Sequence, residues 1–381
     1  MIRYSAFLLL SALLAVSRAA VVGDAPAFFP VFSWDRVPVY QMFADSGRLL
    51  TDAEVVQIAG TTGFLCIEKQ HGFKTLGGAE LGAKHEIARF KALKPETKGL
   101  FYFNSAHAYP FTTYAKVFRS KDVSAPYRDF LIKDRQTGEL ARRGDTFFFD
   151  VLNPKFRTWW ADTVGKGVRD SGADGLFVDQ MHGFSWLRPE KKSEVARAQA
   201  EMMRMAKQAI GPDKMLLLNN GADVPELFAI GDAFMFEHYS TNLLKKEAIL
   251  KDWELMKQIH RAGKISVWRI GVEVEDGRDV YTNPKTRLPD SEYETLSRQR
   301  LPYYLAAFLI GAQPQSYLQY GWGWGLKTGP LVIHPEFSKP LGAPRGDFVR
   351  PNPKGWIFQR EFEHASVRVD LDAREGKIVW K

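Results

Sequence analysis

Short apolar runs alternate along the chain with longer stretches of helical period. The first run, VPVYQMF (Val37 to Phe43), precedes Thr51, Asp52 and Glu54, and Thr51 with Glu54 has capping-box spacing for a helix through Ile58. GFLCIEKQ (Gly63 to Gln70) precedes a helical pattern from Ala79 to Leu93, and KGLFYFNSA (Lys98 to Ala106) follows it. An irregular insertion from Ala108 to Thr146 then runs up to FFFDV (Phe147 to Val151), and it is expected to cover one side of a cleft. Asn153 and Pro154 read as N-cap and first residue of a helix that stops near Ser171 and Gly172. DGLFVDQ (Asp174 to Gln180) comes next, followed by a helix from about Glu190 to Ile210 that ends at Gly211-Pro212. MLLLNNG (from Met215), AFMFEHYS (from Ala233), KISVWRIG (from Lys264) and SYLQYGWGWG (from Ser316) complete the strands. Helices over about Leu244–Ala262 and Asp290–Ile310 separate the last three.

That makes eight strands, nearly all apolar without alternation, which implies burial on both faces. A strand–helix unit repeated eight times predicts an α/β fold, a (β/α)8 TIM barrel over residues 30–325. A doubly wound open sheet is the competing architecture, but no Gly-rich phosphate turn follows the first strand. From Leu341 to Lys381, Val367 and Val369 alternate with charged neighbours and DAREGK reads as a turn, so a small C-terminal β-hairpin packed on the barrel is expected.

In barrels of this kind the working groups sit at the C-terminal ends of the strands. Polar residues at the predicted ends are Glu68, Lys69 and Gln70; Tyr102, Asn104 and His107; Asp179, Gln180 and His182; Asn219 and Asn220; Glu237, His238 and Tyr239; Trp268 and Arg269; and Gln319, Tyr320, Trp322 and Trp324. Asp179 and Glu237 each terminate an apolar run, on the fourth and sixth strands, so they can face each other across the barrel mouth. Two carboxyl groups so placed suit glycosidic hydrolysis, in which one protonates the leaving oxygen and the other attacks or activates water. His238 and Tyr239 are positioned to make the two environments unequal. Trp268, Trp322 and Trp324 can stack on sugar faces or plug the barrel end. Asn219 can bond sugar hydroxyls or belong to an ordinary NNG turn. Lys69 and Arg269 can meet an anionic substrate group or pair with Asp179 and Glu237. Tyr102, Asn104, Gln180, His182 and Gln319 complete the expected substrate-binding set, and Asp35 and Asp150 are candidate helpers.

These motifs resemble barrel glycoside hydrolases. The GADGLFVDQ strand, the FMFEHYS strand and the helix opening DVLNPKFRTWW are similar to α-galactosidase-like enzymes, to the polygalactosaminidase-like family 114, and to uncharacterised hypothetical glycosyl hydrolase families, over residues 30 to 325. In the family 114-like group the fourth-strand Asp is the nucleophile and the sixth-strand Glu the acid/base, so the resemblance implies those roles for Asp179 and Glu237. The second acid is Glu where α-galactosidases usually carry Asp, which leaves the sugar open. A non-catalytic carbohydrate-binding barrel and a transglycosylase on the same carboxylates are the rival readings.

Composition adds to this picture. Arg3, the eleven-residue apolar stretch Ala6 to Val16 and the Ser17-Arg18-Ala19 site read as a signal peptide over residues 1–19, so a secreted or periplasmic protein is expected. No later run reaches the ~18 apolar residues of a membrane span. The net charge of +8 reads either as a solubility preference or as a match to an anionic partner, an acidic or sulfated polysaccharide or a cell envelope, and, with an export signal, argues against nucleic acid. The single cysteine, Cys66, lies in an apolar run and reads as a small core residue. The eight His show no HxH or HExxH spacing, no Gly-x-Ser-x-Gly elbow or Walker loop is present, and neither metal nor cofactor is expected.

Overall fold

The computed structural model describes residues 25–119, 122–135, 137–181, 188–238, 245–272 and 288–381, apart from the side chain of His238. The expected signal peptide, His182 and Tyr239 lie outside these residues. Eight parallel strands form one sheet in chain order: β1 (Gln41–Phe43), β2 (Phe64–Ile67), β3 (Lys98–Asn104), β4 (Gly175–Asp179), β5 (Met215–Asn219), β6 (Ala233–His238), β7 (Ile265–Gly271) and β8 (Ser316–Gly321). The ends of the sheet meet. Val39 pairs with Leu318 in parallel, the Tyr40 amide donates to the Leu318 carbonyl at 3.0 Å, and the Leu318 amide donates to the Pro38 carbonyl at 2.9 Å. The sheet is therefore a barrel.

Among the described residues, seven helices of six or more residues accompany the strands, besides a single helical turn at Phe73–Leu76: α1 (Asp52–Thr61), α2 (Ala79–Leu93), α3 (Pro154–Ser171), α4 (Lys192–Ile210), α5 (Pro225–Ile230), α6 (Lys246–Arg261) and α7 (Asp290–Gly311). Their boundaries follow local chemistry. Thr51 and Glu54 form a reciprocal capping box on α1, and Asn153 accepts from the Lys155 and Phe156 amides with Pro154 at the first helical position of α3. Gly172 ends α3 in the left-handed conformation, φ 65°.

Strand parity divides the apolar residues into two cores. Tyr40, Met42, Phe64, Cys66, Leu100, Tyr102, Phe177, Met215, Leu217, Ala233, Met235, Ile265, Val267 and Tyr317 fill the barrel interior. Their chain neighbours, among them Phe43, Leu65, Phe101, Leu176, Val178, Leu216, Phe234, Trp268 and Leu318, pack outward against the helices. This is why the strands read as continuously apolar.

The expected C-terminal hairpin is a three-stranded antiparallel sheet, β9 (Ile357–Glu361), β10 (Ala365–Asp370) and β11 (Glu375–Trp380). Ile357 to Glu361 alternates too weakly to announce itself, and its pairing with β10 decides its conformation. The sheet packs on α7. A Cβ at Gly376 would lie 2.2 Å from the Pro302 carbonyl oxygen, so only glycine permits that approach. Buried Arg360 donates to the carbonyls of Leu309, Ile310 and Ala312 at 3.0, 3.1 and 2.5 Å, satisfying the end of α7.

Candidate active site

Continuing the interior parity by one step brings Glu68, Asn104, Asp179, Asn219, Glu237, Arg269 and Gln319 to the C-terminal mouth of the barrel, with Ala44, the residue after β1, completing the ring. Register places Asn104 beside Asp179, Glu237 beside Arg269, and Arg269 beside Gln319. The mouth is thus polar because every second residue of an apolar strand must point inward, and the last of these positions lie above the packed core.

Four donors converge on Asp179. The Tyr102 hydroxyl donates to Oδ2 at 2.5 Å and Asn104 Nδ2 to the same oxygen at 3.0 Å. The Gln180 amide and Asn219 Nδ2 donate to Oδ1, each at 2.8 Å. Their orientations are set by neighbours. Asn104 Oδ1 accepts from the Ala106 and His107 amides at 2.9 and 2.6 Å, which turns its NH2 group toward Asp179. The Trp160 indole of α3 donates to the Asn104 carbonyl at 3.0 Å, so the helix opening DVLNP supports the site from behind. Burial first, and then the Asp179 charge, push the Tyr102 phenol well above its ordinary range, so it stays protonated and donates. Gln180 stands at φ 67°, a region that costs a non-glycine residue ~1–2 kcal/mol, and this turn aims its amide back at Asp179.

Asn219 links the two acids. The same Nδ2 donates to Asp179 Oδ1 at 2.8 Å and to Glu237 Oε2 at 2.5 Å, one proton for each. The two facing oxygens are therefore at most 5.3 Å apart, the two bonds laid end to end.

A third carboxylate, missing from the expected catalytic and binding set, lies beside them. Glu68 is buried at 2% exposure, ion-paired with Lys69, and burial pushes its carboxyl up against the opposing pull of Lys69. Burial alone would lower Lys69, but Glu68 and then Asp179 hold its ammonium above the usual lysine range. Lys69 Nζ stands 5.4 Å from the Tyr102 ring and 5.6 Å from the Tyr109 ring. Burial keeps His107, stacked on Tyr109, below the usual imidazole range and so neutral near pH 7. Glu68 carried a readable signal, since it continues the interior parity of Phe64 and Cys66.

Other expected site residues sort by the same parity. Gln319 faces inward and donates to the Met42 carbonyl at 3.0 Å. Arg269 is fully buried, donates to the Gly323 carbonyl at 3.3 Å and lies 4.6 Å from the half-buried Trp324 ring, which packs on the interior core. Two tryptophans do not join them. Trp268 is one residue out of phase with Arg269; it is buried against α6 and α7, donating to Asp252 at 3.0 Å and stacking on Phe308. Trp322 is buried and stacked on Tyr293 of α7. Neither presents a face to a sugar. Lys69 pairs directly with Glu68 and feels the charge of Asp179 without a direct ion pair to it. Asp35 precedes β1 and lines a cavity of about 300 Å³ with Val39, Thr62 and Tyr317, at the opposite end of the barrel. Asp150 caps the Leu152 amide at 3.1 Å and meets Arg188 at 3.5 Å. The side chain of His238 lies outside the described structure. Among the described residues, no group of three His, Cys, Asp or Glu is placed to hold a metal ion, and no helix is long and apolar enough to cross a membrane.

Comparison with known proteins adds to this geometry. The maltogenic α-amylase AmyB of Thermotoga neapolitana has a similar fold, with TM-score 0.51 and 13% identity over 90% of this chain and 87% of its own. The glycoside hydrolase domain of PelA from Pseudomonas aeruginosa aligns with TM-score 0.47 and 14% identity over 74% of this chain and 93% of its own. Aspergillus fumigatus Ega3, solved with galactosamine, aligns with TM-score 0.46 and 12% identity over 80% and 99%. No curated protein matches in sequence. The profile of hypothetical glycosyl hydrolase family 15 covers residues 91–366, from the end of α2 to the start of β10 and including Asp179, Asn219 and Glu237, and the chain belongs to that family of glycosidases.

Proposed function

We propose that Asp179 and Glu237 hydrolyse a glycosidic bond of a polysaccharide with retention of anomeric configuration. The observation that carries this reading is the shared Asn219 amide, which keeps the facing oxygens within 5.3 Å. Retaining glycosidases hold their carboxyl groups about 5–5.5 Å apart, whereas inverting enzymes leave about 6.5–9.5 Å for a water between them.

In this scheme Asp179 Oδ2 or Oδ1 attacks the anomeric carbon while Glu237 gives its proton to the departing glycosidic oxygen. Glu237, now ionised, takes a proton from water, and that water displaces Asp179 from the sugar. Tyr102, Asn104 and Asn219 hold the nucleophile so that its attack needs little reorganisation. Trp324 over Arg269 offers a ring at the mouth for the sugar. Export through the N-terminal segment and the positive charge fit an extracellular, acidic polymer.

Reducing-end release from neutral and acidic polysaccharides tests the reading. Asp179→Asn and Glu237→Gln should each lose at least ~10³-fold in kcat/KM. The first-formed product, followed by NMR, should carry the anomeric configuration of the substrate. Variants that keep their rate would place the chemistry elsewhere, and an inverted first product would exclude Asp179 as nucleophile.

A further inference from the structure

Beyond the mouth, an aromatic file leads outward from the acids. Tyr102, bonded to Asp179, is followed by Lys69 at 5.4 Å from its ring and 5.6 Å from the Tyr109 ring. Tyr109 and Phe111 lie nearly parallel, 5.5 Å apart with 16° between planes, and Phe111 meets Phe73 edge-on at 5.5 Å. Arg119 closes the file, 5.1 Å from the Phe73 ring. The outer part is a shallow cleft of about 630 Å³ lined by Phe73, Lys74, Gly77, Pro110, Phe111 and Arg119. Tyr109, Phe111 and Phe73 are half-buried, so the file keeps open ring surface.

Its charges are of one sign. Lys74, Arg119 and Arg143 are exposed and meet no carboxylate among the described residues. Arg143 lies close enough for its charge to act on His107 and Tyr109. Glu80, packed under the same loop, is buried and accepts from the Thr113 amide and hydroxyl. Half-buried rings flanked by cations that meet no carboxylate suit a chain of rings that carries carboxylate or sulfate groups.

We propose that this cleft is a distal subsite that binds successive units of an anionic polysaccharide, aligning the chain for cleavage at the barrel mouth. The proposal rests on the glycosidase reading above and names its substrate class. Aromatic faces supply the contact area, Arg119 and Lys74 recognise the acidic groups, and Lys69 joins the subsite to the acids.

Affinity electrophoresis and calorimetry test it, with polygalacturonate, alginate, hyaluronan and chondroitin sulfate as acidic probes and dextran and galactan as neutral ones. They are run on the full chain carrying Asp179→Asn, so that no probe is consumed. At least one acidic polymer should bind, more weakly as salt rises. Phe111→Ala and Arg119→Glu should each weaken that binding by at least ~10-fold, while Arg119→Lys and Phe111→Tyr restore most of it. Unchanged thermal melts separate this from misfolding. Binding of no acidic probe at low salt, equal binding of neutral and acidic probes, or full affinity in Phe111→Ala and Arg119→Glu would overturn the proposal. If the acidic polymer binds but Asp179→Asn and Glu237→Gln still cut it, the subsite stands and the assignment of the acids fails.

Discussion

The two ends of the barrel are built from the same eight strands and do opposite things. At the N-terminal end Phe28, Phe29 and Phe32 pack under the interior core, with Phe32 on Tyr317 and Tyr317 on Phe64 at ring separations of 5.7 and 5.1 Å. At the C-terminal end the inward positions are Glu68, Asn104, Asp179, Asn219, Glu237, Arg269 and Gln319. Among the described residues, Glu68 Oε2, Asn219 Oδ1 and Gln319 Oε1 are buried there without a hydrogen-bond partner. A buried polar atom left so costs ~1–3 kcal/mol. The closed end is filled by packed rings, whereas the open end gathers the carboxylates and amides of the site, with these acceptors buried among them.

The sharpest way to break this contrast is to change one residue at each end. Asp179→Asn should lose at least ~10³-fold in kcat/KM, more than ~4 kcal/mol of transition-state stabilisation, and leave the melting temperature in place or higher. Phe29→Ala should cost about 3 kcal/mol of stability in denaturant titration and leave the kcat/KM of the folded fraction unchanged. If Phe29→Ala slowed turnover at constant stability, the ends would not be separable.

A smaller effect separates the two tryptophans of YGWGWG. Trp324→Ala should raise KM about 10-fold, ~1.4 kcal/mol, with little change in melting temperature. Trp322→Ala should lower the melting temperature by several degrees and leave KM alone, because its ring is spent on Tyr293. The reverse pattern would put the sugar on the outer face of β8.

The smallest effect is in acid. Burial holds buried His334 neutral down to about 4, against 6.5 when exposed. The unfolded chain therefore takes up this proton first, and stability falls as pH drops from 6.5 toward 4. The hydrogen bond from Arg48 holds Glu54 near 2 rather than 4.5, so its contribution is present above 4.5 and lost as pH falls toward 2. Neither group is at the mouth. Thermal melts across pH 7 to 3 should show declining stability, and Glu54→Gln should flatten only the lower limb.

Much of this architecture was legible in the residues. The capping box at Thr51, the Asn153-Pro154 start, the Gly172 stop and the uniformly apolar strands are local chemistry, and each forms where its pattern indicates. The weakly alternating Ile357–Glu361 strand escaped notice because sheet pairing on α7 decides it. At the site, Asp179 and Glu237 were readable as carboxylates ending apolar runs. Trp268 and Arg269 show the limit of such reading, since adjacent positions share a strand end yet face opposite sides.

By itself, then, the chain determined which segments become strands and helices, because caps, glycines and apolar runs act within a few residues. It also determined that acids would stand at strand ends. Only the tertiary structure decided which of them meet. Closing eight strands into a barrel brings Asn219 between Asp179 and Glu237, residues separated along the chain, and strand phase turns Trp268 and Trp322 away from the mouth. Distance across a closed barrel depends on strand tilt and register together, and no single segment contains that information.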